Sequence, residues 1–543
     1  MRSIAILSNV NIDILAQILK KDYLVYLPAG YGGWIQELID PFSELNKGKS
    51  DSVFIILDGY ELLRDDIENE SLSSMANYLA YIKEFVSRTK SNVFISTLDI
   101  RLRALKPVKS KRIEKEMEFD WYKEIALMTE KYNNCYVFDL KNMIHRIGEE
   151  QFYSPKMWYT GSIPFSIEGF NIISEEIGFL IKSIYGKRSK ILVLDLDNTL
   201  WGGVVGEDGP KGVTLSNSGI GAIYQDVQKR IKEIKNTGII LIIISKNNQK
   251  DVDDIFSLNN NMILGKEDFV DILCNWNEKP LNLREELIKI NLGLDSAVFL
   301  DDNPVEREKM RSNNPQVIVA DFPEDISLYE KTIADLFKRF FLVLNPTHED
   351  STKTKMYQQE VQRKNDETKF VDIDDYIKSL KIVLDIHLLK DDEIERASQL
   401  TNKTNQFNLT TKRYTVQDVL NMKNSNDYLI FSVYSSDKYG ENGLISIVIV
   451  NLSENRANID TFLMSCRVMG RHIEDAIIDY VEHYLFDEGI KDLFAEYIKT
   501  SKNIPVENLF ERLGYKVIQK TDDKKVYKLV GVQKRKILVE VKK

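Results

Sequence analysis

ILVLDLDNTLWGGVVGEDG, Ile191–Gly209, is the stretch on which the reading of this chain turns. An apolar run ends in Asp195 and Asp197, and Thr199 and a glycine-rich, acidic segment follow. In an extended chain two residues at this spacing point to one side. Carboxylates at the end of a buried strand are costly unless they are paired or hold a cation. Hard carboxylate oxygens suit Mg²⁺, which keeps waters that a phosphate can displace.

Working outward, the same pattern recurs. The runs KILVL, IILIII and AVFL read as parallel strands, and each meets a polar residue at its end: Asp195, Ser245 and Asp301. Between the first two, Ile220, Ile223, Val227, Ile231 and Ile234 mark one face of a helix that Gly238 stops. In an open parallel sheet ligands bind beyond the carboxyl ends of the strands, so these polar residues are expected to converge. Asp301 and Asp302 add acidic groups, Ser245 can donate to a phosphoryl oxygen, and Lys279 in NWNEKPLN can neutralise it. Thr199, Lys246 and Asn247 flank these positions and are further candidates for phosphate. The set describes phosphoryl transfer by positioning and electrostatics.

DLDNT, IIIISKN, NEKP and FLDDNPVER resemble the four motifs of the haloacid dehalogenase superfamily. The resemblance implies that Asp195 is the nucleophile forming an aspartyl-phosphate and that Asp197 is the acid/base at the leaving oxygen. It further implies that Ser245 and Lys279 hold the phosphoryl group. Mg²⁺ would be bound by Asp195, Asp301 and the Asp197 carbonyl, with Asp302 as a further metal candidate. Only a glycine-rich flap and one helix separate the first two motifs. That leaves little room for a cap, so the site is expected to stay open to a bulky substrate.

The chain has 543 residues, too many for one core. Its net charge of -10 argues against general nucleic-acid binding. No apolar run approaches the roughly 20 residues that cross a bilayer, and the N-terminal apolar stretch is broken by Ser8, Asn9, Asn11 and Asp13. Cys135, Cys274 and Cys466 are too widely separated for a disulfide framework or a cysteine-rich zinc site. A cytoplasmic, reducing location is the expectation, with neither nucleic acid nor membrane as partner.

WGGVVGEDG, TNKTNQFNLTTKRYT, DTFLMSCRVMGRHIEDA and LFERLGYKV carry a narrower resemblance, to the FkbH-like proteins. The fold expected is α/β with three domains: an SGNH-hydrolase-like domain over 1–186, a Rossmann-like phosphatase domain over 187–345, and an α+β domain like the GNAT acyltransferases over 371–520. A helical connector over 346–370 and a basic tail over 521–543 complete it. The resemblance implies conversion of 1,3-bisphosphoglycerate, a small phosphorylated three-carbon substrate, into a glyceryl thioester on the phosphopantetheine arm of an acyl carrier protein. In the GNAT-like domain CRVMGRHIE would open a helix at an anion site, with Arg467, Gly470 and Arg471 as binding residues. Cys466 would be a thiolate nucleophile, its pKa lowered by Arg467, Arg471 and the helix start, and His472 its base. Asn402, Asn405 and Gln406 would bond the acyl group or the pantetheine.

In the first domain Ser8 lies where an SGNH serine would stand, but WYTGSIPFSIEGF lacks the required histidine, so a complete triad is absent. A structural or partner-binding role is expected there. Two rival readings are a plain phosphohydrolase acting on a phosphorylated sugar or protein, with flanking domains for recruitment, and a non-catalytic assembly protein.

Overall fold

The computed structural model describes residues 1–28, 30, 32–48, 50–101, 112–186, 188–345, 348–529, 531 and 534–542. The expected boundary at 187, the first two connector residues and parts of the expected tail (530, 532, 533 and 543) lie outside them. The chain divides into two compact units, Met1–Lys182 and Ser183–Lys543.

The first unit is a doubly wound parallel sheet of β1 (Arg2–Leu7), β2 (Tyr23–Tyr26), β3 (Ser52–Ile55), β4 (Asn92–Ser96) and β5 (Cys135–Phe138), in the order β2-β1-β3-β4-β5. β3 is buried along its whole length and β1 and β4 along most of theirs, as strands covered by helices on both faces must be. Ser8, just past β1, accepts from the Val10 amide at 3.3 Å. His145 is the one histidine of this unit, and it is exposed on the helix Leu140–Ile147.

The second unit holds two sheets. One is all parallel: β6 (Ile191–Leu194), β7 (Ile240–Ser245), β8 (Asp271–Cys274), β9 (Ala297–Leu300) and β10 (Ile318–Val319), ordered β10-β9-β6-β7-β8. The chain moves outward from β6 through β7 to β8, then restarts on the other side with β9. Strand order therefore reverses between β6 and β9, where a crevice opens beyond the strand ends. Leu194 pairs with both Ile243 and Leu300 in register, which brings Asp195, Ser245 and Asp301 to one edge. Between β6 and β7 lie only the short turn Val205–Asp208 and the helix Ile220–Asn236, with no cap inserted.

The other sheet is mixed: β11 (Val383–Leu388), β12 (Tyr428–Asp437), β13 (Gly440–Ser453), β14 (Arg456–Met464), β15 (Asp492–Ile498), β16 (Lys516–Lys520), β17 (Lys524–Leu529) and β18 (Glu540–Val541), ordered β16-β17-β15-β14-β13-β12-β11-β18. The segment expected as a basic, strand-like tail over 521–543 contributes strands to this sheet. β17 pairs with β15 and β16, and β18 adds to β11. Arg535 grips the buried Glu482 through two bonds of 2.8 Å, which is why so basic a segment folds onto the domain: an unpartnered buried carboxylate would cost several kcal/mol.

The helix His348–Glu367 joins the two sheets. Its polar sequence is explained by its partners. Gln358 donates to the Phe269 carbonyl at 2.7 Å on one side. On the other, Arg363 forks onto Asp437 at 2.7 and 2.9 Å, and Glu360 receives Arg471.

A pH-dependent contribution comes from His387 on β11, which sits 2.9 Å from Glu393 and 3.0 Å from Asp385. Burial alone would lower its pKa, but the bonds to Glu393 and Asp385 outweigh it and raise it. The stabilisation is therefore fully present below the unfolded value near about 6.5 and is lost as pH rises through the folded one. Urea midpoints measured from acid to alkaline pH are expected to fall over that window in wild type and to stay flat there in His387→Gln; parallel curves would remove the assignment.

Candidate active site

Asp195 follows β6 directly, and its amide donates to the Leu300 carbonyl at 3.0 Å, which ties the strand end to β9. Its Oδ1 receives the Ser245 hydroxyl at 2.7 Å and the Lys279 ammonium at 2.9 Å. No described donor reaches Oδ2. Lys279 opens the helix Lys279–Lys289 and also contacts Asp301 Oδ2 at 2.7 Å. Its side chain is only 3% exposed. Burial would pull its pKa down, yet Asp195 and Asp301 together raise it.

The two carboxylates share that single cation, so the acidic side is undercompensated. Asp301 is raised by burial and by the nearby Asp195 charge, against the pull of Lys279. Burial and Asp195 push Asp302 up to about 6. One oxygen from each of Asp195, Asp301 and Asp302 can be chosen so that all three lie within 4.8 Å of one another. An all-oxygen, electron-rich donor set of this kind fits a hard divalent cation.

The Asp197 carboxylate is held apart from this trio. Oδ1 receives the Trp201 indole at 2.9 Å and the Val205 amide at 3.0 Å, and Oδ2 receives the Asn247 amide at 2.9 Å. Asn247 also reaches Ser245 Oγ at 3.1 Å, so one side chain links the two sides of the site. The chain turns away here through Asn198, at φ 55°, which Asn tolerates better than most residues. Arg307 donates to the carbonyls of Asp301 and Asp302, at 2.8 and 2.6 Å, and fixes the loop that carries both acids. Trp201, Val205 and Arg307 were not among the sequence candidates. Trp201 and Val205 lay inside the stretch that opened the reading, and Arg307 inside FLDDNPVER.

The other candidates divide. Thr199 is fully buried and its hydroxyl has no hydrogen-bond partner among the described residues. Lys246, expected on phosphate, contacts Glu306 of the helix Pro304–Asn313 at 3.1 Å.

In the mixed sheet the expected anion site has other occupants. Arg471 is paired with Glu360 of the joining helix, and Arg467 contacts Ser465 Oγ at 3.2 Å, the Met356 sulfur and the Tyr357 ring. Both arginines are buried in the junction between the two sheets rather than facing a ligand. Cys466 is half-buried there, and its carbonyl accepts from Asn291, in the loop that precedes β9 of the parallel sheet, at 2.7 Å. The setting in which a nucleophilic Cys466 was expected is therefore absent. His472 caps the helix Ile473–Asp487 with φ 54° and bonds Asp475 at 3.1 Å. Glu474 and Asp475, held by Arg512, place negative charge on the first turn, where an incoming anion would be repelled. Gly470 is exposed at φ 79°.

Asn402 donates to the Ser398 and Tyr414 carbonyls at 3.0 and 2.9 Å, and Asn405 accepts from Arg413 at 2.9 Å, so both hold their own loop. Gln406 is half-buried. The next residues close the gap where β14 and β15 part: Leu409 donates to Phe462 at 3.1 Å and accepts from Ile498 at 2.8 Å.

No family model matches the chain, and no curated protein does. Among solved structures, the N-terminal part of the protein BF1531 from Bacteroides fragilis, containing a phosphatase domain and complexed with Mg, is similar with a TM-score of 0.57 and 27% identity over 63% of this chain and 94% of that chain. The ribosomal-protein-S18-alanine N-acetyltransferase from Escherichia coli (TM-score 0.22, 14% identity, 27% of this chain and 92% of that one) is also similar. So is the GNAT domain of S. lividans PAT (TM-score 0.22, 15% identity, 26% and 88%). At those scores the two acetyltransferase likenesses say nothing of chemistry.

Proposed function

We propose that the protein is a Mg²⁺-dependent phosphatase joined to an acyl-transfer domain, and that it dephosphorylates 1,3-bisphosphoglycerate and loads the glyceryl group onto an acyl carrier protein thiol. The chain is an enzyme, and the observation that carries the reading is the split of Asp195. Ser245 and Lys279 fix Oδ1, while no described donor reaches Oδ2, the oxygen left to attack phosphorus.

Attack by Oδ2 forms the aspartyl-phosphate as the bond from phosphorus to the substrate oxygen breaks. Asp197, oriented by Trp201, Val205 and Asn247, gives that oxygen its proton and then takes one from the water that hydrolyses the intermediate. Lys279 and Ser245 are placed to hold the phosphoryl oxygens. Bound by Asp195, Asp301 and Asp302, Mg²⁺ would neutralise phosphoryl charge. The absence of a cap between β6 and β7 favours a substrate presented on a larger partner such as a carrier-bound arm.

Acyl transfer goes directly to the pantetheine thiol, whose sulfur bonds the carbonyl carbon and gives up its proton as the bond to the acyl phosphate oxygen breaks and phosphate leaves, since Cys466 sits in the inter-sheet junction. Cys466→Ser is expected to load the carrier at a rate within a few-fold of wild type, read by intact-protein mass spectrometry; loss of loading with phosphate release intact would restore a covalent relay. The whole reading is tested by incubating the protein with Mg²⁺, 1,3-bisphosphoglycerate and candidate carrier proteins and weighing the carriers. A carrier heavier by one glyceryl group supports it. Phosphate release with no loading of any carrier replaces it with the plain phosphohydrolase, which the closed β14–β15 gap and the engaged arginines favour.

A further inference from the structure

Beside the Asp195 site one tryptophan is turned outward. Trp276 lies in the loop between β8 and the helix Lys279–Lys289, beyond the carboxyl end of the parallel sheet. Its neighbour Asn275 donates its amide to the Ser245 carbonyl at 3.2 Å, so the loop is pinned to the residue whose hydroxyl meets Asp195. The Asn275 side chain then closes the loop on itself: Oδ1 accepts from the Asn277 amide at 3.0 Å and from Asn282 Nδ2 at 2.8 Å. Glu278 is held from outside by Lys309 at 3.0 Å and Lys246 at 3.7 Å. Both flanks are tied down, and the side chain between them stands in solvent, 70% exposed.

A single apolar residue on a surface is ordinary. Trp276 differs in being held in place beside a reacting centre. Its indole N–H donates to Asn248 Oδ1 at 3.4 Å, and Asn248 in turn donates to Asp251 at 3.0 Å. Asn248 belongs to the turn after β7, three residues past Ser245. The ring's one polar atom is therefore engaged by the protein, and what the indole presents to solvent is apolar. The charged groups alongside are paired with one another: Lys246 with Glu306, and Lys309 with Glu278 and Glu306. Trp34, Trp121 and Trp201, by contrast, are buried.

We infer that Trp276 is a substrate-specificity residue of the Asp195 site, its indole packing against an uncharged, C–H-rich part of the substrate next to the phosphate ester. The inference rests on the phosphatase reading and names what that site selects beyond phosphate. A large, rigid side chain with two rotatable bonds loses little freedom on contact, and an aromatic ring brings a large apolar area to it. Binding energy from a part of the substrate that does not react can be used at the reacting phosphorus. With no cap between β6 and β7 to close over the substrate, that contact falls to residues at the rim.

The test compares the full chain as wild type, Trp276→Ala and Trp276→Phe, in Mg²⁺, on phenyl phosphate, hexyl phosphate and methyl phosphate. Trp276→Ala is expected to lower kcat/KM for phenyl phosphate by about tenfold or more, the scale of a lost aromatic contact, and to leave methyl phosphate within about twofold. Trp276→Phe is expected to keep most of the preference. The sources separate on hexyl phosphate: an equal loss there supports an extended arm against the indole, and a loss confined to phenyl phosphate supports a ring. A second readout needs no turnover. Phenylphosphonate, which resists hydrolysis, is expected to shift the wild-type tryptophan emission at lower concentration than methylphosphonate, and to cause no shift in Trp276→Phe. If wild type released phosphate from none of the esters, the phosphatase reading would fall and the phosphonate titration would decide the contact alone. Equal losses on phenyl and methyl phosphate in Trp276→Ala, no emission shift in wild type, or a shift that survives in Trp276→Phe overturns the proposal.

Discussion

Asp195→Asn is expected to lower phosphate release by at least about 10³-fold, the scale on which loss of a nucleophile is felt, while leaving the fold intact. The amide keeps an oxygen at the position where Ser245 and Lys279 converge, so both keep an acceptor. It cannot form the aspartyl-phosphate, because a neutral amide oxygen is a poor nucleophile and its nitrogen has no available lone pair. The charge removed is one of two that share Lys279, which relieves repulsion on Asp301 as well as weakening attraction. Thermal unfolding is therefore expected to stay close to wild type, and a colorimetric assay of phosphate from a small phosphomonoester reads the loss. Wild-type turnover in the Asn protein would end the nucleophile assignment and, with it, the role given to the open Oδ2. EDTA is expected to suppress the wild-type reaction in the same assay, because the metal site proposed on Asp195, Asp301 and Asp302 would lose its cation.

How much of this was legible in the sequence follows from what is local. β6, β7 and β9 were readable because each is an apolar run ending in a polar residue, and a parallel sheet aligns all such ends on one edge. That rule places Asp195, Ser245 and Asp301 together without any knowledge of register. Lys246 escaped the same logic. It follows β7 as directly as Asp195 follows β6, but its ammonium is claimed by Glu306, sixty positions away on a helix whose orientation no local pattern shows. Trp201 was in view yet unassigned, since its bond to Asp197 depends on the left-handed turn at Asn198. The mixed sheet was least legible. A strand-to-helix turn with two arginines reads as an anion site in isolation; here both arginines are used to bury the polar joining helix. The segment beyond 520 reads as a basic, strand-like tail, and what anchors it shows only when Glu482, in the middle of an apolar helix, is seen to take Arg535.

Lys279→Met separates the two functions of the buried lysine. Methionine matches the length of the aliphatic stem but leaves Asp195 and Asp301 facing each other without the cation that lies 2.9 and 2.7 Å from them. Removing one partner of a buried ion pair costs about 3–5 kcal/mol, and the metal-free variant is expected to lose stability on that scale at neutral pH. The sign of its pH dependence follows from Asp301. Its folded pKa is already raised, by burial and then by Asp195, and loss of Lys279 removes the attraction that holds it down, so it rises further. A carboxyl whose folded pKa lies above its unfolded value destabilises the fold when ionised, so lowering the pH toward the unfolded value near about 4 is expected to narrow the gap to wild type. Mg²⁺ is expected to narrow it too, because a divalent cation among the same carboxylates replaces the missing charge; its stabilising effect is then larger in the variant than in wild type. Phosphate release is expected to stay low even with saturating Mg²⁺, by about 10²–10³-fold, since no other described cation takes over the phosphoryl oxygen. Calorimetry with and without Mg²⁺, alongside the phosphate assay, reads both effects. If Mg²⁺ restored the activity as well as the stability, Lys279 would only balance charge in the empty site, and the phosphoryl clamp would have to be sought elsewhere.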